Sequence, residues 1–507
     1  MSTLKKTLSA VGAGLLLLLA LGAWALASPV GASPDDDFHL ASIWCGNGER
    51  EGLCGPGEDA RSRAIPDKAA TATCYAFYPE VDASCQGEDY LDEGLDLAQS
   101  TRVNAGSQQY PPAFYFWHSF FASENIAVST IVIRIVNAAL FSALTVGTWL
   151  LLPRRFRLTL TAGIALTFVP LAAFLIPSTN PSSWAIMSMA VLFPALLGFF
   201  ASTGARRIAL GAVSVFAALL GLGARGDSAA YTAVAVCAAI VLSYRPSRRF
   251  WLLAVLPAAL LVVSAIAFLS AGQTGVALGG MSGATPAASK PVLLIENLFG
   301  MPMLWGGIFG IDWGLGWLDT MMPPIVWGFS LFAVAGALFV SLRWQGWRKL
   351  VAVAGTGFAA LAVPLFILVQ SGVTVGYEVQ PRYILPLVTL FVMTALAPSS
   401  GTEADNARGV QFTREQTWAI AALLTVANSV ALYANMRRYT GPGTLSPSGE
   451  VDWWWAAGPT PLVTWLIGSV TFGAIMAIFA FTTIAAARVE SVHPAIKEGR
   501  LAAAPAA

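Results

Sequence analysis

The apolar stretch LSAVGAGLLLLLALGAWAL, residues 8–26, is followed closely by PDDDFH, residues 34–39. The first stretch has the length of a segment that crosses a bilayer, about 20 residues. The second places three carboxylates, Asp35, Asp36 and Asp37, and one histidine, His39, directly beyond it. Because only 11% of the chain is charged, this junction is the first place where chemistry is expected.

The rest of the chain repeats the apolar pattern. It is 56% hydrophobic, with a mean hydropathy of +0.66, whereas soluble domains contain roughly 25% charged residues. The sequence therefore predicts an all-α polytopic membrane protein of about twelve transmembrane helices, with eleven as the alternative.

The predicted organisation follows from the apolar runs and the loops between them. A signal-peptide interpretation of Ala25-Leu26-Ala27 is also open, but the long apolar run favours a retained, uncleaved span. A single span is expected at residues 158–176. The predicted segments are a first span (1–27), an extracytoplasmic loop with interfacial helices (28–127), spans two to seven (128–271), a Trp-rich interfacial outer loop (272–322), spans eight to twelve (323–486) and a cytoplasmic tail (487–507).

Basic residues predict the orientation, because cytoplasmic loops retain Lys and Arg. Lys5 and Lys6 place the N-terminus inside, and Arg437 with Arg438 then falls outside against the trend. The turns predicted to be cytoplasmic hold Arg154, Arg155 and Arg157; Arg206 and Arg207; Arg245, Arg248 and Arg249; and Arg343, Arg348 and Lys349.

Four of the five cysteines lie in the first outer loop. An oxidising exterior permits disulfides, and four cysteines allow three pairings. The pairs closest in sequence, Cys45 with Cys54 and Cys74 with Cys85, are the prediction. Cys237 falls within a span and is expected to be a buried packing residue.

The acidic run after the first span has two interpretations. A carboxylate at the membrane surface can serve as a general base, and neighbouring like charges raise one another's pKa. A solvated acidic collar is the structural alternative. His39 favours the catalytic interpretation, because a helix starting here would bring it near Asp35 and Asp36.

Arginines within or beside spans are the next candidates, since charge inside a membrane is costly. Arg134 falls inside the second span, and Arg225 with Asp227 lies at the outer end of another, where the two can simply pair. Arg382 opens the tenth span, where it suits phosphate recognition or headgroup snorkelling.

Three further elements lie on the predicted outer side. The aromatic stretch that begins at Tyr110 suits the membrane interface, Asn180-Pro181 is typical of a turn, and residues 316–320, GWLDT, precede two prolines. All of these polar features map to one side, as a single outward-facing site requires.

These motifs together resemble the bacterial membrane family labelled DUF2142. Residues 34–39 resemble its PDExxH-like element, and its YPP-aromatic, NP, GWLDT-P and QxRY-LP elements are similar to the stretches at residues 110–115, 180–181, 316–323 and 380–386, in the same order. The family often has Glu at the position of Asp36 and Pro at that of Asp37. It is grouped with GT-C glycosyltransferases.

The resemblance implies a GT-C-like fold with a large first outer loop and a polyprenyl-phosphate sugar donor. It also implies that Asp35 or Asp36 activates the acceptor, that Arg382 contacts the donor phosphate and that Tyr383 packs beside lipid or sugar.

The resulting hypothesis is a glycosyltransferase of the bacterial plasma membrane that moves a sugar to a cell-envelope glycan or glycolipid on the outer face. A transporter or flippase of lipid-linked sugars and a non-catalytic assembly scaffold are the alternatives. No cofactor is required by the sequence, a divalent metal is left open, and no nucleic acid partner is expected. The predicted site comprises catalytic Asp35, Asp36 and His39, phosphate-binding Arg382 and Arg225, and the cavity residues Asp37, Tyr110, Asn180, Asp227, Trp317, Asp319 and Tyr383.

Overall fold

The structure, a computed structural model, describes residues 3–87, 96–104, 109–272, 275, 280, 288–398 and 410–502. For residues 486–502 it describes the backbone only. Most of the opening of the predicted second outer loop, residues 399–409 of a predicted inner loop and the last residues of the predicted tail lie outside these ranges.

Helices form most of the described chain, because apolar runs satisfy their backbone hydrogen bonds internally in lipid. In chain order the helices are α1 (Thr3–Leu26), α2 (Asp36–Trp44), α3 (Asp67–Ala70), α4 (Ala113–His118), α5 (Ile126–Leu151), α6 (Arg154–Thr167), α7 (Pro170–Leu175), α8 (Ser182–Ala201), α9 (Gly204–Leu222), α10 (Ser228–Ser243), α11 (Arg248–Leu253), α12 (Val255–Ser270), α13 (Lys290–Gly306), α14 (Pro324–Ser341), α15 (Trp347–Ser371), α16 (Pro381–Leu396), α17 (Arg414–Thr440) and α18 (Pro461–Ala502).

Ten helical segments of the described residues are long and apolar enough to cross a bilayer, with α11 and α12 counted together. Two shorter apolar helices, α10 and α16, occupy the positions of predicted spans. The all-α polytopic class is thereby confirmed. One of the ten, Lys290–Phe309, lies where the sequence predicts an interfacial loop, and by length and composition it fits a span equally well.

The segment at residues 158–176 differs from the single span that the sequence predicts. α6 ends at Thr167, and α7 begins at Pro170 with Val169 in an extended conformation. A residue before proline disfavours the helical region, and proline is well suited to a first helical turn. The break therefore follows from Pro170, a signal that hydropathy alone does not register.

The first outer loop is built around a small sheet that the sequence analysis did not predict. The strands β1 (Gly55–Pro56), β2 (Arg63–Pro66) and β3 (Leu97–Ser100) pair antiparallel in that order, with Ala64 opposite Gln99. Both predicted disulfides, Cys45–Cys54 and Cys74–Cys85, are confirmed.

Two other features concern single side chains. Cys237 is free and exposed on α10, so the prediction that it is a buried packing residue is wrong. The apolar composition of a span does not tell which face of the helix meets the bundle.

In the aromatic stretch, Phe116, Trp117 and Phe120 are exposed, as expected at a membrane interface.

A buried ion pair joins α17 to both outer loops. Arg438 Nη2 contacts Asp319 Oδ2 at 3.0 Å, and both side chains are at most 5% exposed. The same guanidinium donates to the carbonyl oxygens of Tyr75, Tyr78 and Val81 in the first outer loop. Arg438 therefore holds the disulfide-bonded segment against the membrane helices.

Replacing Asp319 with Asn is expected to destabilise the fold by about 3–5 kcal/mol, because it leaves a buried guanidinium without its counter-ion. The matched control is Arg102→Gln, which removes a more exposed ion pair with Asp37 and should cost at most about 1 kcal/mol. Thermal or denaturant unfolding of the purified protein measures both. Equal losses in the two variants would contradict this assignment.

Candidate active site

The loop between α1 and α2, residues 27–35, positions the acidic run. Residues 27–34 are all buried, and buried carbonyls without regular secondary structure need other donors. Distant side chains supply them, so the loop is held in one conformation. The donors and accepting carbonyls are Arg134 to Ala25, Ser28 and Pro29; Trp455 to Leu26; Asn435 to Ala27; Tyr75 and Gln86 to Val30; Trp317 to Gly31; and Asn180 to Pro34.

Asp35 ends this loop as the residue preceding α2. Its backbone is left-handed, with φ 59° and ψ 25°, a conformation that aspartate tolerates better than most residues. Its carboxylate meets Arg382 Nη2 at 2.5 Å and is 34% exposed. Burial alone would raise the pKa of Asp35, but Arg382 and, more weakly, Arg102 outweigh it and hold that pKa below its usual value. Asp35 is therefore an ionised carboxylate that remains partly open to the outside.

Arg382, in the first turn of α16, has spare hydrogen-bonding capacity. Its side chain is 2% exposed, and Nη2 also donates to the Tyr383 hydroxyl at 3.0 Å. Its Nε and Nη1 have no partner among the described residues, and the same holds for Trp313 Nε1 and Gln380 Oε1. Arg382, Trp313 and Gln380 line one small crevice together with Pro34. The crevice thus brings together unpaired donors of Arg382 and Trp313 and an unpaired acceptor of Gln380, which a polar ligand can satisfy.

Arg225 brings a second guanidinium to the same region. It lies between α9 and α10, where Asp227 accepts from Nε at 2.9 Å and from Nη2 at 2.6 Å. Its guanidinium carbon lies 4.7 Å from the centre of the Tyr383 ring and 5.8 Å from that of Tyr110. Burial would lower the pKa of Arg225, but Asp227 outweighs it and holds the pKa well above the usual value.

Aromatic rings enclose His39 on α2. Its Nδ1 is 2.9 Å from the Tyr115 hydroxyl, and the ring of Tyr110 lies 5.3 Å away edge to face. Burial lowers the pKa of His39 to about 3, so the imidazole is neutral at physiological pH. Its Nε2 is buried without a partner among the described residues. Burial also raises the pKa of Tyr110, to about 12.

Asp36 points away from Asp35 and into the fold. It is fully buried and accepts hydrogen bonds from Thr179 Oγ1 at 2.7 Å and from the Ser33 amide at 2.9 Å. Burial raises the pKa of Asp36 to about 6, against the opposing influence of Arg134 and these donors. Asp36 thus fastens α2 to the turn that precedes α8.

Asp37 binds a partner that sequence reasoning missed. Arg102 donates to its carboxylate through Nε at 2.8 Å and Nη2 at 3.1 Å, and Arg102 Nη2 is also 3.9 Å from Asp35. Tyr115 and Thr179 were missed as well, because no pattern pairs them with residues far away in sequence. The scarcity of charge in the chain was the one signal that could have pointed to Arg102.

Seven predicted residues form one cluster, and three others support it. Asn180 and Trp317 donate to the α1–α2 loop, and Asp319 binds Arg438. Their contacts are structural and hold the loop that presents Asp35. The clustered residues are Asp35, His39, Tyr110, Arg225, Asp227, Arg382 and Tyr383.

The cluster combines one accessible carboxylate with two guanidinium groups at the ends of membrane helices. Such a set can bind an anion and accept a proton from a neighbouring hydroxyl. Among the described residues, no three metal-ligating side chains converge.

Comparison with known proteins gives one family and one solved structure. A family model described as "Predicted membrane protein (DUF2142)" matches residues 17–392. The crystal structure of ArnT from Cupriavidus metallidurans bound to undecaprenyl phosphate is similar with a TM-score of 0.43 and 11% identity, over 95% of this chain and 78% of that one. No curated protein matches the chain.

The buried carboxyl of Asp36 predicts a pH effect on stability. Its pKa rises from 3.8 to about 6 on folding, so its contribution is fully present below the unfolded value and is lost as the pH rises through 6. Asn mimics the protonated form at every pH. From pH 4 to 7, Asp36→Asn is therefore expected to gain about 2 kcal/mol relative to wild type. Unfolding curves at both pH values test this, and a constant difference between the two proteins would refute it.

Proposed function

Because the chain belongs to the DUF2142 family of membrane proteins, we propose that it is a glycosyltransferase that uses a polyprenyl-phosphate sugar donor. The acceptor is a cell-envelope glycan or glycolipid on the outer face of the bacterial plasma membrane. The observation that carries the proposal is the ion pair of a partly exposed carboxylate, Asp35, with a buried arginine that keeps unpaired donors, Arg382.

The donor phosphate binds at Arg382. Guanidinium groups recognise phosphate oxygens through paired N–H donors, and Arg382 keeps Nε and Nη1 free for this purpose. Trp313 Nε1 adds a further buried donor in the same crevice. Arg225 and Arg382 both lie close to the Tyr383 ring, with guanidinium carbons 4.7 Å and 5.0 Å from its centre, so Arg225 adds positive charge. A lipid-borne donor suits the place, because α8, α10 and α16 all begin here, at the depth of a bilayer surface.

Asp35 activates the acceptor hydroxyl. In the free protein Arg382 neutralises this carboxylate and holds its pKa low, which makes it a weak base. A phosphate that takes over the guanidinium leaves Asp35 beside an anion, and a nearby like charge raises a carboxyl pKa. Binding of the donor thus switches Asp35 toward the basicity that proton abstraction requires.

The reaction balances without a further reactant. The acceptor oxygen forms a bond to the anomeric carbon as the bond from that carbon to the donor phosphate oxygen breaks. The proton of the hydroxyl passes to Asp35, and polyprenyl phosphate leaves with the bonding electrons. The two guanidinium groups stabilise the charge that develops on this leaving group, with inversion at the anomeric carbon.

His39 positions the site and is not charged during the reaction. Its neutral ring is held by Tyr115 and faces Tyr110, whose phenol keeps its proton because its pKa is raised to about 12. The free Nε2 is available to a sugar or acceptor hydroxyl. No bound cofactor or metal takes part in this scheme.

A transporter or flippase of lipid-linked sugars is the second candidate. Such proteins place their substrate site near the bilayer midplane, between broken helices. The cluster described here lies at helix ends, which favours surface chemistry. A non-catalytic scaffold, the third candidate, would tolerate loss of the Asp35 charge.

Replacing Asp35 with Asn is expected to lower sugar transfer by about 10²- to 10⁴-fold while leaving donor binding intact. Transfer is measured with the purified protein, polyprenyl-phosphate sugars extracted from membranes and envelope glycans, with and without a metal chelator. Glu124→Gln removes an exposed carboxylate of the same outer loop and should keep wild-type activity. Full activity of Asp35→Asn would refute the catalytic role, and loss of transfer on chelation would refute the metal-free scheme.

Replacing Arg382 with Gln is expected to weaken binding of polyprenyl phosphate by roughly 10- to 100-fold, since hydrogen bonds to a charged group each contribute about 1.5–3 kcal/mol. Native mass spectrometry in detergent measures the bound lipid. Arg343→Gln, on the opposite face, serves as the control. If both variants bind the lipid as wild type does, the phosphate site lies elsewhere.

A further inference from the structure

A second cluster of arginines lies at the far ends of the helices that carry the candidate active site. α8 begins at Ser182, which binds Arg225, and α16 begins beside Arg382. The 20 residues of α8 extend for about 30 Å, which is the thickness of the hydrocarbon core. The end of α8 and Pro398, just after α16, line a cavity of about 260 Å³. This cavity therefore lies across the membrane from Asp35.

The cavity has a cationic rim and an apolar wall. Arg155 lies in the first turn of α6, Arg245 in the turn between α10 and α11, and Arg249 in the first turn of α11. All three meet at the lining of the cavity. Phe200 and Phe250 stack in its wall with ring centres 5.5 Å apart. Its volume is several times that of a liquid water molecule, about 30 Å³, so it has room for a phosphate group and the glycerol next to it.

The three guanidinium charges are not neutralised within the described part of the chain. All ion pairs found there involve Arg102, Arg225, Arg382 or Arg438, which lie on the outer side. The described lining of the cavity contains no carboxylate. Converging charges of one sign beside low-dielectric walls attract and concentrate an anion of the opposite sign.

We propose that this cavity binds the phosphate headgroup of an anionic phospholipid from the cytoplasmic leaflet. Basic pockets between transmembrane helices on the cytoplasmic side have the chemistry that such headgroups require, and the distribution of Arg assigns this end to the cytoplasm. The wall continues into lipid-facing surface, because Trp251 and Leu252 next to Phe250 are 61% and 65% exposed. The acyl chain of a lipid can pack against that apolar surface, whereas a soluble phosphate has no apolar part that could cover it.

The test measures phosphatidylglycerol bound to the full-length protein in detergent, by native mass spectrometry and by thermal stabilisation. The cavity variant combines Arg155→Gln, Arg245→Gln and Arg249→Gln. The control combines Arg154→Gln, Arg206→Gln and Arg248→Gln, which removes the same charge from residues of the same face that are exposed like the cavity arginines but do not line the cavity. Affinity should fall on the order of 100-fold in the cavity variant, roughly fivefold per arginine, and less than about threefold in the control.

Three results would overturn the proposal: an equal loss in both triple variants, no loss in the cavity variant, or binding of phosphatidylcholine as strong as that of phosphatidylglycerol. Inorganic phosphate and glycerol 3-phosphate form a separate arm, and stabilisation by either that equals the lipid's would assign the site to a soluble phosphate instead. If the cavity variant melts at a lower temperature without lipid, the single substitutions carry the test, each with the fivefold loss expected.

Discussion

The half of the protein that carries the candidate site depends on one requirement, that the buried carbonyls of the α1–α2 loop find donors. Residues 27–34 are buried without regular secondary structure, and an unpaired buried carbonyl is costly. Arg134 satisfies three carbonyls of this region from inside a membrane helix, and these carbonyls together with the nearby carboxyl of Asp36 offset its own buried charge. These hydrogen bonds fix the direction in which the chain leaves α1, and they thereby place Asp35 opposite Arg382.

This requirement also explains why polar motifs far apart in the sequence lie together in the fold. Asn180 and Trp317 belong to two short elements far apart in the chain, yet both donate to the same loop. Asp319 anchors the second of these elements through Arg438. Polar residues that the sequence marks as site candidates therefore include a group whose contacts hold the loop that carries Asp35.

The two faces of the membrane bundle treat charge differently. At the end of the bundle that carries the candidate site, the arginines of the cluster have carboxylate partners, with Arg225 bound to Asp227 and Arg382 to Asp35. At the opposite end Lys349 is buried against the carbonyls of Thr394 and Ala397 at the end of α16, where a cation suits the helix dipole. α16 is thus held at one end by a lysine and carries Arg382 at the other.

The sequence by itself determined the membrane class and the cysteine-containing loop, and it singled out the acidic run that contains Asp35, because hydropathy, charge scarcity and cysteine spacing are local properties of a chain. It could also indicate both disulfides, since each joins cysteines close in sequence. The break at Pro170 and the exposure of Cys237 needed the structure, because hydropathy averages over a helix. Only the tertiary structure decided which carboxylate meets Arg382. Asp35 and Arg382 are 347 residues apart, Asp36 turns inward to Thr179, and contacts at such separations are set by packing, which leaves no periodic trace in the sequence.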